Sequence, residues 1–86
     1  MKFHVYILRS LKNGSYYKGS TTDLTKRLIE HNSGMNISTK RYMPWEVVWS
    51  TETDSRSESL ILEKKLNNIT SRKRVEDFIS KHSKQQ

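Results

Sequence analysis

Apolar and polar positions along the chain follow first a period of two and then a period of about four. Phe3-His4-Val5-Tyr6-Ile7-Leu8-Arg9 is short, β-branched and aromatic and ends in a charge, which predicts a buried strand. Lys12-Asn13-Gly14-Ser15 carries Asn-Gly turn chemistry, so Ser15–Ser20 is expected to return beside the first strand as a β-hairpin. Tyr6 and Tyr17 then approach each other across that hairpin. From Leu24 the period lengthens: Leu24 and Leu28 lie one turn apart, and Arg27 and His31 form a second pair beside them. Thr22 is the expected N-cap, with Asp23 placing negative charge at the positive end of the helix dipole. Asn32-Ser33-Gly34 reads as a stop, followed by a loop to about Trp45.

Trp45–Ser50 reads as a third strand, with Trp45, Val47 and Trp49 on one face and Glu46, Val48 and Ser50 on the other. Asp54-Ser55-Arg56 opens a second helix, where Ser55 and Glu58 fit a capping box. Leu62, Leu66 and Ile69 form its apolar arc, bounded by Leu60. A last helix starts near Ser71 and turns Val75, Phe78 and Ile79 inward, and the tail Lys81–Gln86 is expected to fray. The element order is β-β-α-β-α-α, an α+β chain.

Eighty-six residues suffice for one domain, 1–86, with an ordered core of about 3–80. Sixteen Lys and Arg against nine Asp and Glu leave a net charge of +7, which favours a polyanionic partner, nucleic acid before an anionic membrane surface. A solvated basic surface is the plainer account of the same charge. No apolar run approaches the ~18 residues of a spanning helix, and Met1-Lys2-Phe3-His4 leads straight into a strand pattern with no signal peptide. Without cysteine, a disulfide framework and a thiolate metal site are excluded. The expected location is the cytoplasm.

Three features carry candidate chemistry. Arg27 and His31 put a guanidinium and an imidazole together at the edge of a buried helix face. Glu63 falls inside the apolar arc of the second helix, where a carboxylate must be paired, protonated or metal-bound, or else snorkel to solvent or to Lys64 or Lys40. Thr39-Lys40-Arg41-Tyr42-Met43-Pro44-Trp45 interleaves basic and aromatic residues, a composition that can hold a phosphate backbone and stack on a base. Packing onto the core is the competing account for Tyr42 and Trp45. Arg72, Lys73 and Arg74 crowd a helix N-terminus, a cost that a phosphate or plain solvation can offset.

Tyr6, Tyr17 with Gly19, Arg27, His31 and Glu63, in that order and spacing, resemble the GIY-YIG nuclease superfamily, and in particular its small stand-alone bacterial members. His4-Val5-Tyr6 stands at the Gly-Ile-Tyr element and Tyr17-Lys18-Gly19 at the Tyr-Ile-Gly element. Pro44-Trp45-Glu46-Val47-Val48 matches the third strand, and Leu62-Glu63-Lys64 lies where relatives carry a metal-binding glutamate. The likeness runs from Phe3 to about Ile79. His4 replaces a glycine and Lys18 an apolar residue, and Lys18 alternates with Tyr17 so that its side chain faces away from the tyrosine pair.

The resemblance implies a three-stranded antiparallel sheet flanked by helices and divalent-metal-dependent phosphodiester hydrolysis. It implies one Mg²⁺ or Mn²⁺ on Glu63, Arg27 on the scissile phosphate, and Tyr6 as the base that activates water. Tyr17 then orients that water or the phosphate, and His31 accepts a proton from Tyr6 or fixes Arg27 and the substrate. Lys18, Lys26, Lys40, Arg41, Tyr42, Arg72 and Lys73 are the expected nucleic-acid contacts. DNA is the expected substrate, chosen by structure more than by sequence, since so small a surface reads few bases. A weakly catalytic binding module, or a subunit of a larger DNA-processing complex, is the alternative. A protein partner or a homodimer is one route to cutting both strands.

Overall fold

The computed structural model describes residues 2–82. The expected fraying of the tail therefore falls mostly outside the described residues, while Lys81 and His82 belong to the last helix. The elements are β1 (Phe3–Ser10), β2 (Tyr16–Thr21), α1 (Leu24–Asn32), α2 (Ile37–Lys40), β3 (Trp45–Thr53), α3 (Arg56–Asn67) and α4 (Arg72–His82). The three strands form one antiparallel sheet in the order β2-β1-β3, so β1 is central and β2 is a free edge.

The hairpin turns through a loop of four residues between Ser10 and Ser15, closed by Ser10 N–H to Ser15 O at 2.8 Å. Gly14 sits in it at φ 77°, a conformation that side-chain-bearing residues avoid. Ser10 Oγ accepts the N–H groups of Lys12 and Asn13 and donates to Tyr42 O, which ties the loop to the segment ahead of β3.

Paired residues on neighbouring strands share a face, and the sheet divides the apolar side chains accordingly. On one face Tyr6, Leu8 and Trp45 pack with Tyr17, Val47, Tyr42 and Met43, and with Leu24 and Leu28 of α1. On the other, Val5 and Ile7 meet Leu66 of α3 and Val75 of α4, with Val48, Trp49, Leu62, Ile69, Phe78 and Ile79 around them. Both layers are built from the periodicities of the sequence.

Four local expectations change. Asp23, not Thr22, caps α1: its carboxylate accepts Lys26 N–H at 3.0 Å, while Thr21 Oγ1 holds the Asp23 N–H. The loop after α1 contains the single turn α2, capped by the Asn36 side chain on Ser38 N–H. Trp45, Val47 and Trp49 do not share a face. Leu8 pairs with Val47 but Ile7 with Trp49, so Val48 is the extra residue of a β-bulge and Trp49 joins the opposite layer, edge-on to Phe78 at 5.1 Å. At α3, Ser55 caps Glu58 N–H as expected, but Glu58 reaches back to the N–H of Asp54 rather than to that of the cap.

Candidate active site

β1 delivers Tyr6 to the face covered by α1, and its ring lies across Gly19 of β2, its register partner. A Cβ at position 19 would stand 2.7 Å from Tyr6 Oη, so glycine is what lets the phenol reach over the edge strand. Tyr17, two residues from Gly19 on β2, shares that face, its ring 6.4 Å from Tyr6 and 5.0 Å from His31.

His31 ends the buried stripe of α1. Asn32, next along, clamps the helix end to the start of β3, accepting Trp45 N–H and donating to Trp45 O at 3.0 Å. His31 is fully buried, with Nε2 3.2 Å from Tyr6 Oη and Nδ1 2.8 Å from Thr39 Oγ1. Burial holds its pKa below the usual imidazole value, and the Arg27 charge pushes the same way against the weaker pull of Glu30. It is therefore neutral at pH 7. Tyr6, 2% exposed, has its pKa raised far above the usual phenol value, chiefly by burial and next by Tyr17, with Arg27 opposing. The phenol keeps its proton. An ionised Tyr6 is thus not the resting form, so Tyr6 acting as a base needs a partner to take its proton.

Arg27, one turn before His31, is half-buried and lies 3.8 Å from Glu30. It borders a polar groove of about 270 Å³ with Ser20 and Thr21 of β2 and with Arg56 and Ser59 of α3. That groove joins α1 and α3 around the end of the sheet. Glu63 is carried by α3, on the other face from the tyrosines, and Ser20 Oγ donates to its Oε1 at 2.8 Å. Ser20 is the residue after Gly19, so strand alternation points it to the Glu63 side. Glu63 pairs with this hydroxyl and not with Lys64 or Lys40; the ion pairs among the described residues are Lys2–Asp54, Arg9–Glu46 and Arg27–Glu30. Tyr6 Oη feels the charges of both Arg27 and Glu63.

The remaining expected contacts divide. Lys26 is exposed and lines a polar hollow with Thr21, Asp23 and Arg27. Lys40 is exposed along Gly34, and Lys73 is exposed on α4. Arg41 and Arg72 sit at the hairpin end instead, where Arg41 O accepts from Lys12 Nζ at 3.4 Å and Arg72 donates to Asn13 O at 3.4 Å. Lys18 is used inside the fold: its ammonium donates to Ile69 O at 2.8 Å, and burial lowers its pKa. Tyr42 packs half-buried against the Tyr6–Trp45 layer, and Trp45 is 4% exposed, so the loop's aromatics fold onto the core.

Sequence reasoning missed two partners. Thr39 lies eight residues beyond His31, across an intervening turn, and no periodicity links the two. Ser20 was legible only as a hydroxyl ahead of a helix, although alternation from Gly19 gives its side.

Among the described residues no three His, Cys, Asp or Glu side chains gather into a metal cluster, and no helix is long and apolar enough to cross a membrane. Glu63 presents one carboxylate, oriented by Ser20 through a single oxygen. One oxygen donor of this kind fits a hard divalent ion that keeps several waters and is completed by substrate phosphate.

A family model for the GIY-YIG catalytic domain matches residues 2–83. A UPF0213 protein of Staphylococcus saprophyticus is 33% identical over 75 residues, covering 86% of this chain and 90% of the relative. A UPF0213 protein of Halobacterium salinarum is 34% identical over 68 residues, covering 78% and 87%. Among solved structures, the solution NMR structure of a UPF0213 protein from Bacillus halodurans is similar at 32% identity with a TM-score of 0.60, over 95% of this chain and 86% of that one.

Proposed function

The chain belongs to the GIY-YIG family of nuclease domains, and from that premise we propose that it is a divalent-metal-dependent endonuclease that hydrolyses phosphodiester bonds in DNA, selecting structure rather than sequence. The observation that carries the proposal is the hydrogen bond between Tyr6 Oη and a neutral, buried His31, set over Gly19 and flanked by Arg27 and Glu63.

Tyr6 hands its proton to His31 Nε2 as it takes one from the attacking water. The phenol is thus a conduit and never has to ionise beforehand. The water oxygen forms its bond to phosphorus while the bond to the leaving sugar oxygen breaks. The leaving oxygen carries off the electron pair, takes a proton from solvent, and leaves an imidazolium at His31. Arg27 donates planar N–H groups to the phosphoryl oxygens, where charge grows. Tyr17 orients the water or the phosphate. Glu63, held by Ser20, would hold the one divalent ion, Mg²⁺ or Mn²⁺, which would supply Lewis-acid stabilisation of the phosphoryl charge. Lys26 and Arg27 line the approach to the site, while Arg41 and Arg72 form a second basic contact at the hairpin end. The same reading places the protein with its substrate in the cytoplasm.

The near-complete burial of Tyr6 favours one second reading, a nucleic-acid-binding module that cuts weakly or needs a partner or a second copy to open its site. Cleavage of labelled single-stranded, duplex and branched DNA, with Mg²⁺, Mn²⁺ or chelator, separates the two. Metal-dependent cutting that disappears in both Tyr6→Phe and Glu63→Ala supports the nuclease. Binding without cutting on every substrate supports the module.

A further inference from the structure

Thr39 has no place in the family resemblance, yet its hydroxyl is the group that meets the far side of His31. We propose that Thr39 is a positioning residue that sets the direction of a buried hydrogen-bond chain, Tyr6–His31–Thr39–Asn36, and so holds the imidazole with its proton on Nδ1 and a bare Nε2 toward Tyr6.

The direction follows from counting donors and acceptors. Tyr6 keeps its phenolic proton in a buried place, and among the described residues His31 Nε2 is the hydrogen-bond partner found for Oη. A buried O–H without an acceptor is costly, so Nε2 must accept, and a neutral imidazole that accepts at Nε2 carries its hydrogen on Nδ1. Nδ1–H then donates to Thr39 Oγ1 across 2.8 Å. The Thr39 hydroxyl in turn donates to a group that only accepts, the backbone carbonyl of Asn36 at 3.4 Å. Tyr6, His31 and Thr39 each donate once in the same direction, and the Asn36 carbonyl ends the chain.

The frame around Thr39 is fixed independently of His31. Asn36 caps α2 through its side chain, and Trp45 Nε1 donates to Thr39 O at 2.9 Å, which pins the turn to the start of β3. Thr39 is 1% exposed, so water does not substitute for its hydroxyl. In the proposed reaction, on which the catalytic consequence rests, Nε2 receives the proton from Tyr6 and Thr39 Oγ1 steadies the Nδ1–H of the resulting imidazolium. The opposite tautomer would present Tyr6 with a donor and block that transfer.

The test is long-range ¹H–¹⁵N correlation on the ¹⁵N-labelled full chain at pH 7.5, without metal or DNA, for wild type, Thr39→Val and Thr39→Ser. Thr39→Val keeps the size and β-branching and removes the hydroxyl. Wild type and Thr39→Ser are expected to show a protonated Nδ1 and a bare Nε2, and Thr39→Val a shift of population toward Nε2–H. A wild-type His31 protonated on Nε2 overturns the proposal even if Thr39→Val does not fold. A Thr39→Val spectrum with both ring nitrogens unchanged overturns it as well. In cleavage assays, kcat is expected to fall about 10- to 100-fold in Thr39→Val with KM little changed, and to recover in Thr39→Ser. A wild type that has the expected tautomer but cuts nothing supports the chain and removes the nuclease reading. One that cuts with the opposite tautomer keeps the nuclease and removes the role of Thr39.

Discussion

Gly19 lies under the hydroxyl of Tyr6, and a Cβ there would approach Oη to 2.7 Å and Cζ to 2.9 Å. The phenol has no slack on its other side, where His31 Nε2 stands 3.2 Å away. Gly19→Ala must therefore push the Tyr6 ring, Tyr17 or the β1–β2 pairing. Thermal and urea unfolding should show a loss of about 1–3 kcal/mol, as overpacking does elsewhere. DNA cleavage should fall by about 100-fold, the scale of a misplaced catalytic group. A fully active Gly19→Ala protein would show that Tyr6 does not need this clearance.

The proton path from Tyr6 to His31 predicts a particular pH–rate profile. If Tyr6 had to ionise first, the rate at saturating metal would climb about tenfold per pH unit through the neutral range. With His31 as acceptor, the rate should instead rise as imidazolium loses its proton, below the usual imidazole pKa, and then level off. His31→Asn should abolish that acidic limb along with most of the activity.

Stability carries the same group with a definite sign. The folded-state pKa of His31 is depressed, so below the unfolded value near 6.5 the unfolded chain takes up a proton that the folded chain refuses. Stability should fall as the pH drops below about 6.5, by at most about 1.4 kcal/mol per pH unit for this one proton. Urea unfolding at a series of pH values checks this, and the slope should be shallower in His31→Asn.

Ser20→Ala tests the orientation of Glu63. Losing the hydroxyl at 2.8 Å should cost about 1 kcal/mol or less in stability, because the group is only partly buried. It should raise the Mg²⁺ concentration for half-maximal cutting about 10- to 100-fold, the usual effect of removing a ligand's supporting partner. Glu63→Gln should remove the metal response itself.

Lysines at two positions make opposite predictions. Lys26→Ala should weaken DNA binding across all sequences and reduce the salt dependence of log Kd by about one unit. Lys18→Met should leave that slope unchanged, since the ammonium is spent on Ile69 O, and should instead lower stability by about 1 kcal/mol. Filter binding or fluorescence anisotropy at several salt concentrations distinguishes them.

What the sequence determined by itself is local or periodic. The alternation over residues 3–9, the Asn-Gly turn, the Leu24–Leu28 stripe with Arg27 and His31 beside it, and the Ser55 cap each rest on neighbours within one turn or one strand. For that reason the three strands, the hairpin and the three longer helices were legible and the five candidate site positions could be named in order, while the three-stranded antiparallel sheet was implied by the resemblance to the family. Tertiary structure decided what depends on partners remote in sequence. The bulge at Val48 moved Trp49 to the other layer because strand register is set by the whole β1–β3 pairing, not by β3 alone. Lys18 turned inward because the α3–α4 connection brings the Ile69 carbonyl to it. Ser20 met Glu63, and Thr39 met His31, across 43 and 8 residues. Hydrogen-bond partners of buried groups are chosen by which chain segments the fold brings within about 3 Å of each other, and a one-dimensional pattern carries no record of that distance.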